Sequence, residues 1–234
     1  MKELIIMSDK IKGTLVILTL NEIKGLESVF PKIPRNRIAE VFAVDGGSTD
    51  GTLEYYKKKS VRVMRQHSKG RGEAFRIAMR YAKYDNVIFF SPDGNENPDD
   101  IIRLFSLLDK NYDMVIASRF MKGAKSDEDN QIIKLRKFGN KMFTLFANIL
   151  FHGRLTDSIN GFRGIKRSAF KAINPNAKGF GIEFQVSIRA MKQKLKITEI
   201  ATKEHERIGG KSTASTFKTG TYFIQILFDE YFKK

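Results

Sequence analysis

The stretch NVIFFSPDGNENP at residues 86–98 decides how the rest of the chain is interpreted. Its first part, Val87–Phe90, is an unbroken apolar run, which is typical of a strand buried on both faces of a parallel sheet. Residues 91–97 then bring oxygen-bearing side chains to the carboxyl end of that strand, and Pro98 suits the first position of a helix. Ligands of open α/β sheets bind at this edge, and Mg²⁺ prefers carboxylate and phosphate oxygens. The stretch therefore indicates either a metal–diphosphate site at Asp93 or a turn that only caps the next helix.

Composition limits the classes of protein that this chain can be. It has 234 residues, no cysteine and a net charge of +16. Without cysteine, neither a disulfide framework nor a thiolate metal site can form. The positive charge indicates an anionic partner, which could be nucleic acid, an anionic membrane surface or a phosphorylated substrate. The apolar run Leu4–Met7 is too short for a signal peptide, and no run approaches the roughly 20 apolar residues of a spanning helix. We therefore expect a cytoplasmic protein, soluble or peripheral on a membrane.

Strands and helices alternate over the first half of the chain, which predicts a layered, mostly parallel α/β sheet. The predicted strands cover residues 13–20, 38–44, 61–64, 86–90, 113–117 and 195–200. Residues 157–163 are predicted as a turn. A long helix is predicted at Ile132–Phe151, and an amphipathic segment at Thr216–Phe232. We expect one domain over residues 1–212, followed by a C-terminal segment, 213–234, that either lies in a membrane interface or packs on the domain.

Three of the predicted strands end in polar segments, at residues 19–22, 45–52 and 91–93. Because the carboxyl ends of parallel strands meet at one edge of the sheet, these segments should lie together. The edge then gathers Glu22, Asp45, Asp50 and Asp93 in a chain that is otherwise strongly basic. Such a group of acidic side chains suits hydrogen bonding to a base and a ribose, together with one metal ion.

A set of motifs in a fixed order carries a family resemblance over nearly the whole chain up to Ser212. The motifs are TLNE at 19–22, VDGGSTDGT at 44–52, KGRGEA at 69–74, SPDGN at 91–95, ASRF at 117–120, LRKFGN at 135–140, DSINGFRG at 157–164, GFGIEFQ at 179–185 and ERIGGKS at 206–212. With these motifs the chain resembles the inverting family 2 glycosyltransferases of the GT-A fold. Among them it is most similar to the dolichyl- and polyprenyl-phosphate glycosyltransferases, such as the dolichol-phosphate mannosyltransferases.

The resemblance implies a GT-A, Rossmann-like domain, with a mixed, mostly parallel sheet flanked by helices. It also implies the reaction, in which a sugar moves with inversion from a GDP- or UDP-sugar to a polyprenyl or dolichyl phosphate. Mg²⁺ or Mn²⁺ would assist as the cofactor. The partners implied are the nucleotide-sugar donor, the lipid-phosphate acceptor and an anionic membrane surface on the cytoplasmic side, with no nucleic acid.

The family motifs assign roles to individual residues of this chain. The nucleotide-sugar donor is expected at Thr19, Asn21, Glu22, Asp45, Asp50, Lys69 and Asp93. The metal is expected at Ser91, Asp93 and Asn95, and the acceptor phosphate at Arg119, Arg136, Asn140, Arg163, Arg207 and Lys211. The catalytic residues implied are Asp93, Arg119 and Arg136. Two positions depart from the family pattern: Ser91 replaces the first Asp of the DxD motif, which weakens metal binding, and Leu20 replaces a tyrosine that could stack on the base.

Three alternatives remain open at this point. A family 2 enzyme acting on a hydroxyl acceptor would need a general base, for which Glu183 is the candidate; Glu183 could instead fix an arginine in a salt bridge. A phosphate acceptor is already anionic near neutral pH and needs mainly positioning, for which arginine is suited. A nucleotidyltransferase would be favoured by a basic, Gly-rich loop after the first strand, where Asn21 and Glu22 stand instead. A nucleic-acid-binding protein would interleave aromatic and basic residues, whereas the aromatic residues here fall on apolar helical faces.

Overall fold

The architecture is a seven-stranded sheet covered by helices on both faces, in a computed structural model that describes residues 10–127, 131–209 and 216–233. The strands in chain order are β1 (Ile11–Thr19), β2 (Ile38–Asp45), β3 (Arg62–Arg65), β4 (Asn86–Phe90), β5 (Met114–Ser118), β6 (Lys125–Ser126), β7 (Arg163–Lys166), β8 (Ile197–Ala201) and β9 (Lys203–Glu204). The helices are α1 (Ile23–Val29), α2 (Thr52–Lys58), α3 (Arg71–Tyr81), α4 (Asp100–Asp109), α5 (Gln131–Phe151), α6 (Arg167–Ile173), α7 (Ile182–Lys192) and α8 (Thr216–Phe232).

The main sheet has the strand order β3–β2–β1–β4–β7–β5–β8. All neighbouring pairs are parallel except those of β7, which runs antiparallel to both β4 and β5. β6 and β9 pair in a separate two-stranded ribbon. The predicted fold class, a mixed and mostly parallel sheet flanked by helices, is therefore confirmed, and the six predicted strands match observed ones to within two residues.

β7 is the one strand of the main sheet that was not predicted from the sequence. Residues 157–163 were expected to form only a turn, yet Arg163 begins a strand in the middle of the sheet. Four residues containing an arginine and a glycine have no strand-like hydrophobic pattern. The strand forms because β4 and β5 offer unpaired backbone groups on both sides. Gly164 is needed there, since a Cβ at that position would lie 2.9 Å from Leu108.

The core lies on both faces of the sheet. Along β1, Leu15 and Ile17 pack on one face while Val16 packs on the other, and all three are fully buried. β4 is buried on both faces, as the apolar run predicts. On one face the ring of Phe89 stacks on Phe75 of α3 with the centroids 3.8 Å apart. This packing fixes the carboxyl end of β4 and therefore the loop that carries Asp93.

α8 is an amphipathic helix that packs on the rest of the domain. Its inner face buries Phe223, Ile226 and Glu230 against α5 and α7. The Glu230 carboxylate accepts hydrogen bonds from Arg189 at 2.7 Å and from Gln185 at 2.8 Å, both on α7. The predicted boundary between residues 212 and 213 lies outside the described residues, so the domain division remains a prediction.

The outer face of α8 is aromatic and exposed. Phe217 is 83% exposed, Phe228 60% and Phe232 74%. The neighbouring α5 also presents large apolar side chains, including Phe138, which is 67% exposed. Within the described parts of the chain, no helix is both long and apolar enough to cross a membrane.

Candidate active site

The carboxyl ends of β1, β2 and β4 open into a cavity of about 490 Å³, which we call the strand-end cavity. Of the residues expected to bind the donor, Thr19, Asn21, Glu22, Lys69 and Asp93 line it. The sheet topology explains this gathering because β2, β1 and β4 are adjacent and parallel. Asp45 and Asp50 do not line the cavity.

Asp45 is fully buried behind the strand-end cavity and shapes the loop after β2. Its Oδ1 accepts hydrogen bonds from the backbone N–H groups of Gly47 at 2.9 Å and Ser48 at 2.8 Å. Its Oδ2 accepts from the hydroxyls of Ser48 at 2.6 Å and Thr19 at 3.1 Å. Both carboxylate oxygens are thus engaged within the protein, and the residue positions Thr19 and the glycine turn.

Asp50 holds the starts of two helices. Its carboxylate accepts from the backbone N–H of Ile23 at 3.0 Å, at the start of α1, and from that of Thr52 at 3.1 Å, at the start of α2. The structure therefore places Asp50 outside the cavity lining, where it fixes α1 and with it the preceding Glu22. Asn21 completes this connection, because its side-chain oxygen accepts from the backbone N–H of Thr49 at 2.8 Å.

Arg207 bridges the two acidic residues of the strand-end cavity. Its Nη1 donates to Asp93 at 2.8 Å, and its Nη2 is paired with Glu22. The second oxygen of Glu22, Oε2, is buried without a hydrogen-bond partner among the described residues. Burial raises the pKa of Glu22 to about 7, against the opposing charge of Arg207. The guanidinium group therefore occupies the position of a cation between two carboxylates.

The segment that carries Arg207 is attached to the loop after β4. The backbone N–H of Ile208 donates to the carbonyl of Asp93 at 2.9 Å, and that of His205 to the carbonyl of Asn95 at 3.0 Å. The Asn95 side chain returns a hydrogen bond to the carbonyl of His205 at 2.7 Å. Arg207 was predicted to contact the acceptor phosphate, but the structure brings it to Glu22 and Asp93 on the strand-end side. Lys211, predicted for the same role, lies outside the described residues.

A second cavity, of about 290 Å³, lies between the sheet edge and helices α5 and α8, and we call it the helix cavity. Arg119, Arg136 and Asn140, all predicted to bind the acceptor phosphate, line it. Arg119 forms a two-point pair with Asp157, at 2.7 and 3.0 Å. Although burial lowers the pKa of Arg119, the charge of Asp157 keeps it above its ordinary range. The guanidinium group is therefore held rigidly at the cavity wall in its charged form.

The two cavities share a wall formed by Arg71, Ser91, Asp93 and Phe180. Arg71 is paired with Glu183 of α7, and its guanidinium group lies 3.4 Å from the hydroxyl of Ser91. Arg71 was not predicted to be a site residue, although it lies in the KGRGEA segment at 69–74. Its place in the site depends on the tertiary structure, because its partner Glu183 is on a different helix, α7. Gly161 makes room for the pair, because a Cβ there would meet the Arg71 guanidinium group.

Comparison with known proteins agrees with this geometry. The family model described as glycosyl transferase family 2 matches residues 14–173. The chain belongs to glycosyltransferase family 2. Glycosyltransferase AglJ of Haloferax volcanii is 28% identical over 197 residues, which are 83% of this chain but only 63% of AglJ. The undecaprenyl-phosphate mannosyltransferase of Micrococcus luteus is 27% identical over 225 residues, 90% of each chain.

Solved structures support the same fold for this family 2 glycosyltransferase. Glucosyl-3-phosphoglycerate synthase from Mycobacterium tuberculosis, crystallised with UDP, superposes with a TM-score of 0.72. The two proteins are 20% identical, and the match covers 94% of this chain and 80% of the synthase. The family model confirms the predicted family and the predicted class of enzyme, a glycosyltransferase, and the solved structure agrees in fold.

Arg163 of this glycosyltransferase was predicted to bind the acceptor phosphate, but the structure does not bring it to either cavity. It is the first residue of β7 and is fully buried, and burial lowers its pKa to about 10. Its Nη1 donates to Ser187 at 3.0 Å and to the carbonyl of Glu183 at 3.0 Å. Its remaining N–H groups donate to the carbonyls of Ser158 and Asn160. With its donors used inside the protein, Arg163 joins β7 to α7 and is not placed to receive a phosphate.

The loop after β4 of the glycosyltransferase holds an acidic residue that the sequence analysis did not select. The Glu96 carboxylate accepts the backbone N–H of Ser91 at 2.7 Å and lines the helix cavity. Burial raises its pKa to about 8, with the negative charge of Asp93 as the next cause. Glu96 and Asp93 both line the helix cavity. The signal was present in the sequence, since Glu96 is the one acidic residue between Asp93 and Pro98.

Proposed function

We propose that this glycosyltransferase moves a sugar from a nucleotide-sugar, a GDP- or UDP-sugar, to a polyprenyl phosphate with inversion at the anomeric carbon. The observation that carries the proposal is the pair of cavities that meet at Arg71, Ser91 and Asp93. One has the acidic and glycine-rich character of a nucleotide site, and the other has Arg119 and Arg136 on its wall. A donor in the first and an anionic acceptor in the second would meet at the shared wall.

Chemistry favours a phosphate as the acceptor. A hydroxyl acceptor normally needs a general base, and Glu183 is the candidate for that role. Its carboxylate is paired with Arg71, which makes it a counterion within the shared wall. A phosphate monoester already carries negative charge near neutral pH, so it needs orientation more than deprotonation. Arginine forks such as those of Arg119 and Arg136 are suited to that orientation.

A divalent cation, Mg²⁺ or Mn²⁺, fits the side chains at the end of β4. Among the described residues no group of three or more His, Cys, Asp or Glu side chains is arranged around one metal position. Mg²⁺, however, is commonly held by one or two carboxylates together with substrate phosphates, and Asp93 with Asn95 supplies oxygen donors of this kind. The guanidinium group of Arg207 already lies between Asp93 and Glu22, which shows that positive charge is accommodated next to Asp93. When bound, the metal would offset the charge that develops on the departing nucleoside diphosphate.

We infer further that the enzyme works at an anionic membrane surface on the cytoplasmic side. α5 and α8 line the helix cavity with Asn140, Gly220 and Phe223, and their outer faces expose Phe138 and Phe228. An amphipathic helix with aromatic residues on one face lies in the plane of the interface, and basic charge strengthens its attraction to anionic lipids. The net charge of +16 supplies that attraction. A lipid phosphate would then reach the helix cavity from the membrane side.

The undecaprenyl-phosphate mannosyltransferase of Micrococcus luteus, similar over 90% of this chain, supports the lipid-phosphate acceptor. Mycobacterium tuberculosis glucosyl-3-phosphoglycerate synthase has been crystallised with Mn²⁺ and UDP, which supports the metal and the nucleotide donor.

Initial-rate kinetics with both substrates varied test the acceptor. Arg136→Ala should raise the Michaelis constant for a short polyprenyl phosphate by roughly 10- to 100-fold, the worth of one charge-assisted hydrogen bond. The Michaelis constant for the nucleotide-sugar should change little, because Arg136 does not line the strand-end cavity. Arg136→Lys should recover part of the loss, since lysine keeps the charge without the planar fork. Lys141→Ala is the matched control, an exposed cation of α5 that does not line the cavity.

Two outcomes would contradict the proposal. The first is an acceptor dependence in Arg136→Ala that equals that of Lys141→Ala. The second is transfer to polyprenyl alcohols but not to polyprenyl phosphates, together with loss of activity in Glu183→Gln. That combination would favour the hydroxyl-acceptor enzyme with Glu183 as its base.

A further inference from the structure

The loop after β4 carries its carboxylates at positions 93 and 96, whereas position 91 is a serine. The loop folds back on itself in the turn that follows Asp93. Gly94 has a φ of +100°, a left-handed conformation that glycine adopts readily, and the backbone N–H of Asn95 donates to Asp93 Oδ1 at 3.1 Å. The turn returns the Glu96 side chain to the start of the loop, where its Oε2 accepts the N–H of Ser91 at 2.7 Å. A carboxylate thus lies beside position 91, although residue 91 does not supply it.

Arginines are paired with three of the carboxylates near the shared wall of the two cavities. Glu22 lines the strand-end cavity, Glu96 and Glu183 line the helix cavity, and Asp93 lines both. Two guanidinium groups face them: Arg207 pairs with Glu22 and Asp93, and Arg71 pairs with Glu183. Arg119, the next arginine, is already paired with Asp157.

Two oxygens in this group lack hydrogen bonds. Glu22 Oε2 and Glu183 Oε2 are both buried without a partner among the described residues, and Glu183 is only 3% exposed. A buried carboxylate oxygen without a hydrogen bond is unfavourable, and a cation bound beside it would offset that cost.

We propose that Glu96 supplies the second carboxylate for the divalent cation at Asp93, in the place that residue 91 cannot fill. The proposal rests on the metal-assisted transfer proposed above. A serine hydroxyl is neutral and offsets none of the charge of a divalent ion. Two carboxylates, with oxygens of the donor diphosphate, form the hard donor set that Mg²⁺ and Mn²⁺ prefer. The alternative is that Glu96 only holds the loop through its hydrogen bond to the Ser91 N–H.

Mn²⁺ titration of the full chain, followed by the electron paramagnetic resonance signal of free Mn²⁺, separates these two roles. It is run with Mn²⁺ alone and with Mn²⁺ plus UDP or GDP, so it needs neither sugar transfer nor a lipid acceptor. Glu96→Gln keeps an oxygen that can accept the Ser91 N–H and replaces the ionisable carboxylate with a neutral amide. We expect it to weaken Mn²⁺ binding by at least about tenfold. Asp99→Asn, which removes an exposed carboxylate that lines neither cavity, is the matched control and should bind like the wild type.

Restoring the carboxylate at position 91 is the decisive variant. Ser91→Asp combined with Glu96→Gln should regain Mn²⁺ affinity to within a few fold of the wild type, because the charge returns to the same part of the loop. Thermal unfolding of each variant shows whether the fold is retained.

Three results would overturn the proposal. They are Mn²⁺ binding by Glu96→Gln equal to that of Asp99→Asn, a loss in Glu96→Gln that the added aspartate does not recover, and a loss explained entirely by a lower melting temperature. Normal Mn²⁺ results without transfer to a polyprenyl phosphate would instead count against the acceptor assignment alone.

Discussion

Glu230 joins α8 to the rest of the enzyme, and its removal is a direct test of how that helix is held. The side chain is 2% exposed and accepts hydrogen bonds from Arg189 at 2.7 Å and Gln185 at 2.8 Å. Breaking a buried ion pair by removing one partner costs roughly 3–5 kcal/mol. Arg189 keeps hydrogen bonds to Asn176 and to the carbonyls of residues 173 and 174, so Glu230→Ala should fall at the lower end, about 3 kcal/mol.

Thermal unfolding followed by circular dichroism measures this cost. For a chain of this size about 3 kcal/mol corresponds to a fall in melting temperature of roughly 6–12 °C. Asp229→Ala is the matched control, because it removes an exposed carboxylate one position earlier on the same helix, and it should change stability by less than about 0.5 kcal/mol. Equal melting temperatures for Glu230→Ala and Asp229→Ala would refute the buried pair as the anchor of α8. Deleting α8 entirely is a poorer test, since it would also uncover the core around Phe223.

Three further outcomes are expected. Asp93→Asn should lower the rate of transfer by about 10²–10³ while the protein remains folded, and a near-normal rate would remove Asp93 from the reacting site. The pKa of Glu96 is raised from 4.5 to about 8 in the folded protein. Between these two pH values the folded protein keeps a proton on Glu96 that the unfolded chain has lost. The stability of the fold therefore decreases as the pH rises from about 4.5 to about 8. Metal-free Glu96→Gln should therefore lose less melting temperature than the wild type between about pH 5 and pH 8, and parallel curves would contradict the shift. Replacing Phe228, Tyr231 and Phe232 with serine should weaken sedimentation with anionic liposomes at low salt while the fold survives, since these side chains are exposed; unchanged sedimentation would exclude this face as the membrane contact.

Most of the sheet could be predicted from the sequence, because buried strands appear in it as short apolar runs. Val87–Phe90 is such a run, and it became β4. β7 was not predicted, because Arg163 and Gly164 form a strand only through the two ladders on either side. Arg163 matches a basic position of the family pattern, but its guanidinium group is buried and donates hydrogen bonds to α7 inside the protein.

The candidate site was predicted where the strand ends determine it. Glu22 and Asp93 follow β1 and β4 directly, so parallel topology alone brings them together. Arg71 was not assigned a role, because its partner Glu183 is 112 residues away and no local pattern connects them. Glu96 was not predicted for a different reason. Its position depends on a turn that reverses the chain, and the family pattern places the metal at residues 91, 93 and 95.

α8 forms part of the cavity wall on one side and presents exposed aromatic residues on the other. An enzyme that receives its acceptor past such a helix would meet lipid molecules that diffuse in the two dimensions of the membrane, not in the three dimensions of solution. Its rate should then follow the mole fraction of polyprenyl phosphate among the surrounding lipids. Diluting the acceptor with inert lipid at constant bulk concentration should slow turnover, whereas adding more vesicles of the same composition should not.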